Sequence, residues 1–124
     1  MTRINVAIPP KTLTNRHLIA EHREIKRIPN TITSGRAKIV DIPKQFSLGK
    51  GHVKFFYNKL GYLKNRYEEL YQECINRNFN VSYYGNAWEN IPTSLMGDYQ
   101  PTKQDEDIIR ERIKEKLEET YEGK

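Results

Sequence analysis

Cysteine is almost missing from this chain of 124 residues: Cys74 stands alone, so no internal disulfide is possible. With three His, no CxxC pair and no His/Cys ladder, four ligands at zinc-finger spacing do not arise either. No run of about eighteen apolar residues is present to span a membrane, and no charged-then-apolar leader opens the chain. These absences predict a soluble, cytoplasmic protein without a membrane partner, and they weigh against redox and zinc chemistry. Acidic residues are scarce in one half only. Residues 1–60 hold twelve Lys/Arg against three Asp/Glu, whereas residues 61–124 hold nine against thirteen, which concentrates the overall +5 in the first half. A basic half of this kind attracts phosphates, although excess Lys/Arg is also compatible with an ordinary solvated surface.

The length suits a single domain, 1–124, built around one core. Three segments have helical periodicity. The first runs from Thr12 or Thr14 to Ile28, opening on a hydroxyl cap and stopping at Pro29. The second, Val53 to Asn78, carries Phe56, Leu60, Leu63, Tyr67, Leu70 and Cys74 at three- and four-residue steps, one continuous apolar stripe that marks it as the central core helix. Gly61 inside it costs up to about 1 kcal/mol against Ala and marks a place where another backbone passes close. The third runs from Lys103 to Tyr121. There Thr102 and Asp105 form a capping box, and Ile108, Ile109, Ile113 and Leu117 form the buried face. Segments 29–51 and 79–101, rich in turn-forming residues, read as long irregular connections. The expected fold is therefore mainly α: about three helices packed around a central one.

On the first helix, Arg16, Ala20, Arg23 and Arg27 recur at steps of four, three and four, placing three guanidinium groups on one face that can lie against phosphates. Glu24 sits on the border of that stripe, near His17. Taken alone it is an exposed ion-pair partner worth about 0–1 kcal/mol. The N-terminus raises another possibility. Thr2 is small enough for Met1 to be removed, which leaves an α-amine whose reference pKa of about 7.7–8.0 keeps a nucleophilic fraction at neutral pH.

MTRIN at the start, HLIAEHRE-I-KR in the first helix, LGKGHVKFFYNKLGYLKNR around the second, ECINRNFN at its end and GDYQP followed by RIKEK lie in order along nearly the whole chain. Together they resemble the phage-type pyrimidine-dimer DNA glycosylases with abasic-site lyase activity. The resemblance implies an enzyme that acts as a monomer on double-stranded DNA containing damaged pyrimidines or abasic sites. In it the Thr2 amine would attack the sugar to form an imine, and Glu24 would be the catalytic carboxylate. Arg3, Arg23 and Arg27 match family positions for DNA contact, Arg112 and Lys116 match a second basic pair, and Arg16 lies on the same DNA-facing helix. Arg23 would also position the sugar, and His17 matches a histidine near the active site. His52, before an apolar run, reads as a turn or cap residue. Arg16 and His22 stand where the best-known member has Gln and Tyr, both polar and both able to face DNA. The aromatic C-terminal tail of the best-known member is nearly absent, with only Tyr121 left, and stacking on bases of roughly 1–3 kcal/mol per base goes with it. The alternative is a basic helical module that binds nucleic acid without catalysis, in which Glu24 only balances charge.

Overall fold

A computed structural model describes residues 2–122, with side chains through Leu117, so Met1 and the Tyr121 side chain lie outside the described residues. The protein is mainly α, with helices α1 (Asn15–Glu24), α2 (Arg27–Thr33), α3 (His52–Phe55), α4 (Leu60–Asn76) and α5 (Lys103–Glu122). Short 3-10 turns occur at Pro10–Thr12, Gly85–Trp88 and Thr93–Leu95, and no strand occurs among the described residues. Helix α4 is central: Leu60, Leu63, Tyr67, Leu70 and Cys74 are all fully buried, and α1 packs along it.

Two helices expected to be continuous are broken. The first segment divides into α1 and α2 at Ile25–Lys26, and Pro29 lies inside α2 rather than beyond a helix end. Proline explains both facts. It has no N–H to donate to the Ile25 carbonyl four residues back, and its ring crowds that carbonyl. Ile25 O accepts instead from Ile28 N–H at 3.2 Å, a tighter turn that restarts the helix. In the new first turn the missing N–H of Pro29 costs little, because N–H groups there have no intrahelical partner. The second segment divides into α3 and α4 around Lys59, whose backbone leaves the helical region (φ −128°, ψ 35°) while its ammonium donates to the freed Phe55 carbonyl at 2.9 Å. Helix α4 ends with Asn78 in the left-handed region (φ 63°), and Phe79 N–H closes on Cys74 O at 2.9 Å.

Gly61 does mark a close backbone approach. A Cβ there would lie 2.7 Å from Met96 O and 2.9 Å from Gly97 O, and Tyr62 N–H donates to Gly97 O at 3.0 Å. The capping box also forms: Asp105 N–H donates to Thr102 Oγ1 at 3.1 Å, and Thr102 N–H to Asp105 Oδ2 at 3.2 Å. The Tyr99 hydroxyl donates to the same carboxylate. Ile109 is buried and Ile108 and Ile113 pack partly against the core, but Leu117, expected on the buried face, is 42% exposed. Helix α5 leaves the core as it runs on.

The N-terminal residues are a core element rather than a lead-in to α1. Ile4, Val6 and Ile8 are buried, and so is Asn5 between them. A charged fork fixes this segment. Arg66 of α4 donates through Nε and one terminal nitrogen to both carboxylate oxygens of Glu21 on α1, at 2.8 and 3.0 Å. Its other terminal nitrogen donates to Ile8 O at 2.6 Å, while Asn5 Nδ2 donates to Glu21 Oε1 at 2.8 Å. Burial alone would lower the Arg66 pKa, but the Glu21 charge and its hydrogen bonds outweigh burial and raise it. Three segments thus meet at one buried ion pair.

Removing one member of such a pair strands the other charge in the interior. Arg66→Met is expected to lower unfolding free energy by about 3–5 kcal/mol, read from the midpoint in a urea titration. Gly61→Ala reverses the usual helix preference of about 1 kcal/mol for Ala: because a backbone carbonyl blocks the new methyl, the same titration should show net destabilisation.

Candidate active site

Thr14 begins α1, its side-chain oxygen accepting from His17 N–H at 3.2 Å. From there the helix turns two faces outward and inward. Leu18, Glu21 and His22 are buried, whereas Arg16, His17, Ala20 and Glu24 form one wall of a cleft of about 430 Å³. The opposite wall is Arg112, Ile113, Lys116 and Leu117 of α5, and Arg3 and Asn5 from the N-terminal segment complete the lining with Glu21. Ala20 keeps the middle of the helical wall low. The cleft is thus walled by cations from three separate parts of the chain, with two carboxylates beside them: Glu21, already paired with Arg66, and Glu24.

The electrostatics favour an anion in this space. Burial, followed by the nearby Arg112 charge, lowers the Arg3 pKa, and Glu24 only partly offsets the two. Two guanidinium groups held close and partly desolvated are stabilised by a bound negative group such as phosphate. Glu24 is 14% exposed and accepts from an Arg23 terminal nitrogen at 3.3 Å, an arginine that is itself 56% exposed. His17 Nδ1 is buried in the cleft wall without a hydrogen-bond partner. Burial first, then Arg16, lowers the His17 pKa, with Glu21 opposing, so the ring is neutral near neutral pH. Among the described residues no group of His, Cys, Asp and Glu could hold a metal, and no helix is long and apolar enough to cross a membrane.

A protein-family model described as pyrimidine dimer DNA glycosylase matches residues 1–84, about two thirds of the chain. The chain belongs to this pyrimidine dimer DNA glycosylase family. The matched region contains the N-terminal segment, α1 to α4, and therefore Thr2, Arg3, Arg16, His17, Arg23, Glu24 and Arg27. The cleft wall supplied by α5 lies beyond it.

Of the residues singled out in this glycosylase from sequence, Arg3, Arg16, His17, Glu24, Arg112 and Lys116 line the cleft together. Thr2 is half-buried directly before Arg3. Arg23 and Arg27 are exposed outside the lining, and the break before α2 takes Arg27 off the helix that carries Arg16 and Arg23. His22 does not face DNA. It is 2% exposed, with Nε2 3.1 Å from the Tyr67 hydroxyl, which in turn accepts from Tyr84 N–H at 2.6 Å. His52 is more than a turn residue: although it opens α3, its ring is buried and binds the N-terminal segment. Sequence reasoning missed Asn5, Glu21 and Arg66. The available signal was a charge in an apolar register on two helices, Glu21 between Leu18 and Ile25 and Arg66 between Leu63 and Leu70.

Convergence of four cations on one cleft predicts a strong ionic contribution to DNA binding. Arg112→Ala is expected to weaken affinity for duplex DNA and to reduce the slope of log K against log salt by about 1. Fluorescence anisotropy over a salt series measures it, and an unchanged slope would remove Arg112 from the footprint.

Proposed function

We propose that this glycosylase uses the Thr2 α-amine as its nucleophile and Glu24 as its catalytic carboxylate, and that it cleaves the strand at the resulting abasic site. The observation that carries this reading is the joint lining of one cleft by Glu24 and Arg3. Arg3 follows Thr2 directly, so the Cα atom bearing the amine is about 3.8 Å along the chain from that of a cleft residue. A carboxylate, a nearby chain terminus and a ring of cations make a combination that a purely binding module does not require.

The unprotonated amine attacks C1′ of the damaged nucleotide. A bond forms from nitrogen to C1′, and the glycosidic bond breaks with its electron pair leaving on the base, which takes up a proton. Positive charge grows on the sugar as the base departs, and the Glu24 carboxylate stabilises it. Opening of the sugar ring gives the imine. That imine draws electrons from C2′, a proton is removed there with Glu24 assisting, and the 3′ phosphate leaves by β-elimination. Water then releases the sugar fragment and restores the amine. The bonds made and broken require neither a metal nor an organic cofactor.

Arg3, Arg16, Arg112 and Lys116 are assigned to the phosphates on either side of the sugar, with Arg23 and Arg27 extending the contact beyond the cleft. Arg23 also holds Glu24 through their ion pair, and His17 offers a neutral, unpaired ring nitrogen to the sugar or phosphate. Reaching C1′ inside a duplex requires the nucleotide to leave the stack, and a damaged base costs least to extrude. The acting species is a monomer on double-stranded DNA.

Borohydride added to protein and abasic duplex is expected to trap a covalent complex in protein whose intact mass shows loss of Met1. Glu24→Gln should reduce strand cleavage by at least about 100-fold while leaving the urea midpoint near that of the parent. Protein that keeps Met1, or carries an N-terminal tag, should bind DNA without being trapped. Failure of the processed protein to form any trapped complex would leave binding without this chemistry.

A further inference from the structure

The N-terminal backbone is held by an unusual acceptor. Ile4 N–H donates to His52 Nε2 at 3.0 Å, from a ring that is 2% exposed and belongs to a helix forty-eight residues away. The opposite ring nitrogen, Nδ1, lies 2.9 Å from Ser47 O. A carbonyl can only accept, so Nδ1 carries the proton and Nε2 is left as the acceptor; one contact fixes the tautomer that the other needs. The rings of Phe46 and Phe56 meet the imidazole edge-on, each with centroids 5.4 Å away, and restrict its rotation. Ile4 itself is fully buried, so its N–H has no access to water as a substitute.

Resting on the Thr2 reading above, we propose that His52 is a positioning residue for the nucleophile: by holding the Ile4 N–H it sets where the α-amine two residues earlier stands relative to Glu24. Two residues of extended chain reach about 7 Å, short enough for a shift at Ile4 to pass to the terminus. A misplacement of about 1 Å at a reacting atom costs up to roughly 100-fold in rate. Packing of the Ile4 side chain fixes that residue's depth in the core, whereas the hydrogen bond fixes the rotation of the peptide that leads to Arg3 and Thr2.

The arrangement depends on a neutral ring. A proton on Nε2 would aim one N–H at another and break the contact. Burial is the main cause that lowers the His52 pKa; Arg3 adds to it, while the Ser47 carbonyl and Glu21 oppose. The folded value therefore lies below the ordinary 6.5, so the stabilising contribution of the neutral ring is complete above about 6.5 and is lost as pH falls toward the folded value. The amine and His52 then act in the same direction. Each must be unprotonated for the attack to proceed.

The test is single-turnover borohydride trapping on abasic duplex with protein in excess, for the wild type, His52→Leu and His52→Gln. Leucine removes the acceptor, whereas glutamine offers an amide oxygen in its place. His52→Leu should trap about 10- to 100-fold more slowly at saturation with its Kd for the duplex unchanged, and His52→Gln should recover most of the rate. The wild-type log rate should also steepen with falling pH once His52 begins to protonate, and His52→Gln should lose that extra steepness while keeping the limb due to the amine. If His52→Leu does not fold, the pH profile of His52→Gln decides alone. The inference is overturned if His52→Leu traps at the wild-type rate, or if glutamine leaves the steep acid limb in place. A wild type that traps nothing overturns the Thr2 reading and this one together, whereas trapping that ignores His52 overturns only this one.

Discussion

The fork from Arg66 to Glu21 is the contact on which the rest of the molecule depends. A guanidinium and a carboxylate this deeply buried are tolerable only because each of their nitrogens and oxygens has a partner: two bonds join the charges, a third reaches Ile8 O, and Asn5 supplies a fourth. Such pairs contribute little net stability relative to apolar residues of similar size, yet they penalise any arrangement that leaves one partner unmatched. Here the penalty fixes register. The N-terminal segment cannot slide, and α1 cannot rotate on α4, without uncovering a charge. Glu21 is three residues before Glu24 on α1, so the contact that orders the core also orients the wall of the cleft.

Two carboxylates on one helix therefore have different surroundings. Glu21, although it also borders the cleft, is buried with both oxygens engaged by Arg66 and Asn5, and takes part in folding. Glu24, one turn on, lines the cleft among cations, paired with Arg23 and close enough to feel the Arg3 charge, and can respond to a charge arriving from outside. Both are glutamates among basic residues in the sequence. Burial and the partners each one meets separate structure from chemistry.

The sequence made the apolar stripe of the central helix and the capping box at Thr102 legible, because each depends on neighbours in the chain; Gly61 announced a close backbone approach but not its partners, Met96 and Gly97. The sequence also brought Arg3, Arg16, His17, Glu24, Arg112 and Lys116 forward as a group, mostly through resemblance. The helix breaks were harder to see. Pro29 could equally end one helix or sit in the first turn of the next, and nothing local to Lys59 announces its change of conformation. Contacts between distant residues were not legible at all: His52 to Ile4, Tyr67 to His22 and Arg66 to Glu21 become visible only when the fold brings the partners together. His22 shows the cost of reading a face from polarity, since a neutral imidazole with partners on each side is buried as readily as a tyrosine.

Helix α5 joins the molecule mainly at its beginning, where Tyr99, Thr102 and Asp105 lock the first turn and Ile109 enters the core, and it is less buried by Leu117. At about 1.5 Å per residue, Lys116 stands roughly 17 Å beyond Asp105. The helix is thus a lever with a short anchored arm. With Ile109 in the core as the pivot, a tilt of about 10° would carry Lys116 through only roughly 2 Å, so the width of the cleft at its α5 wall is set by how the first two turns of the helix are held.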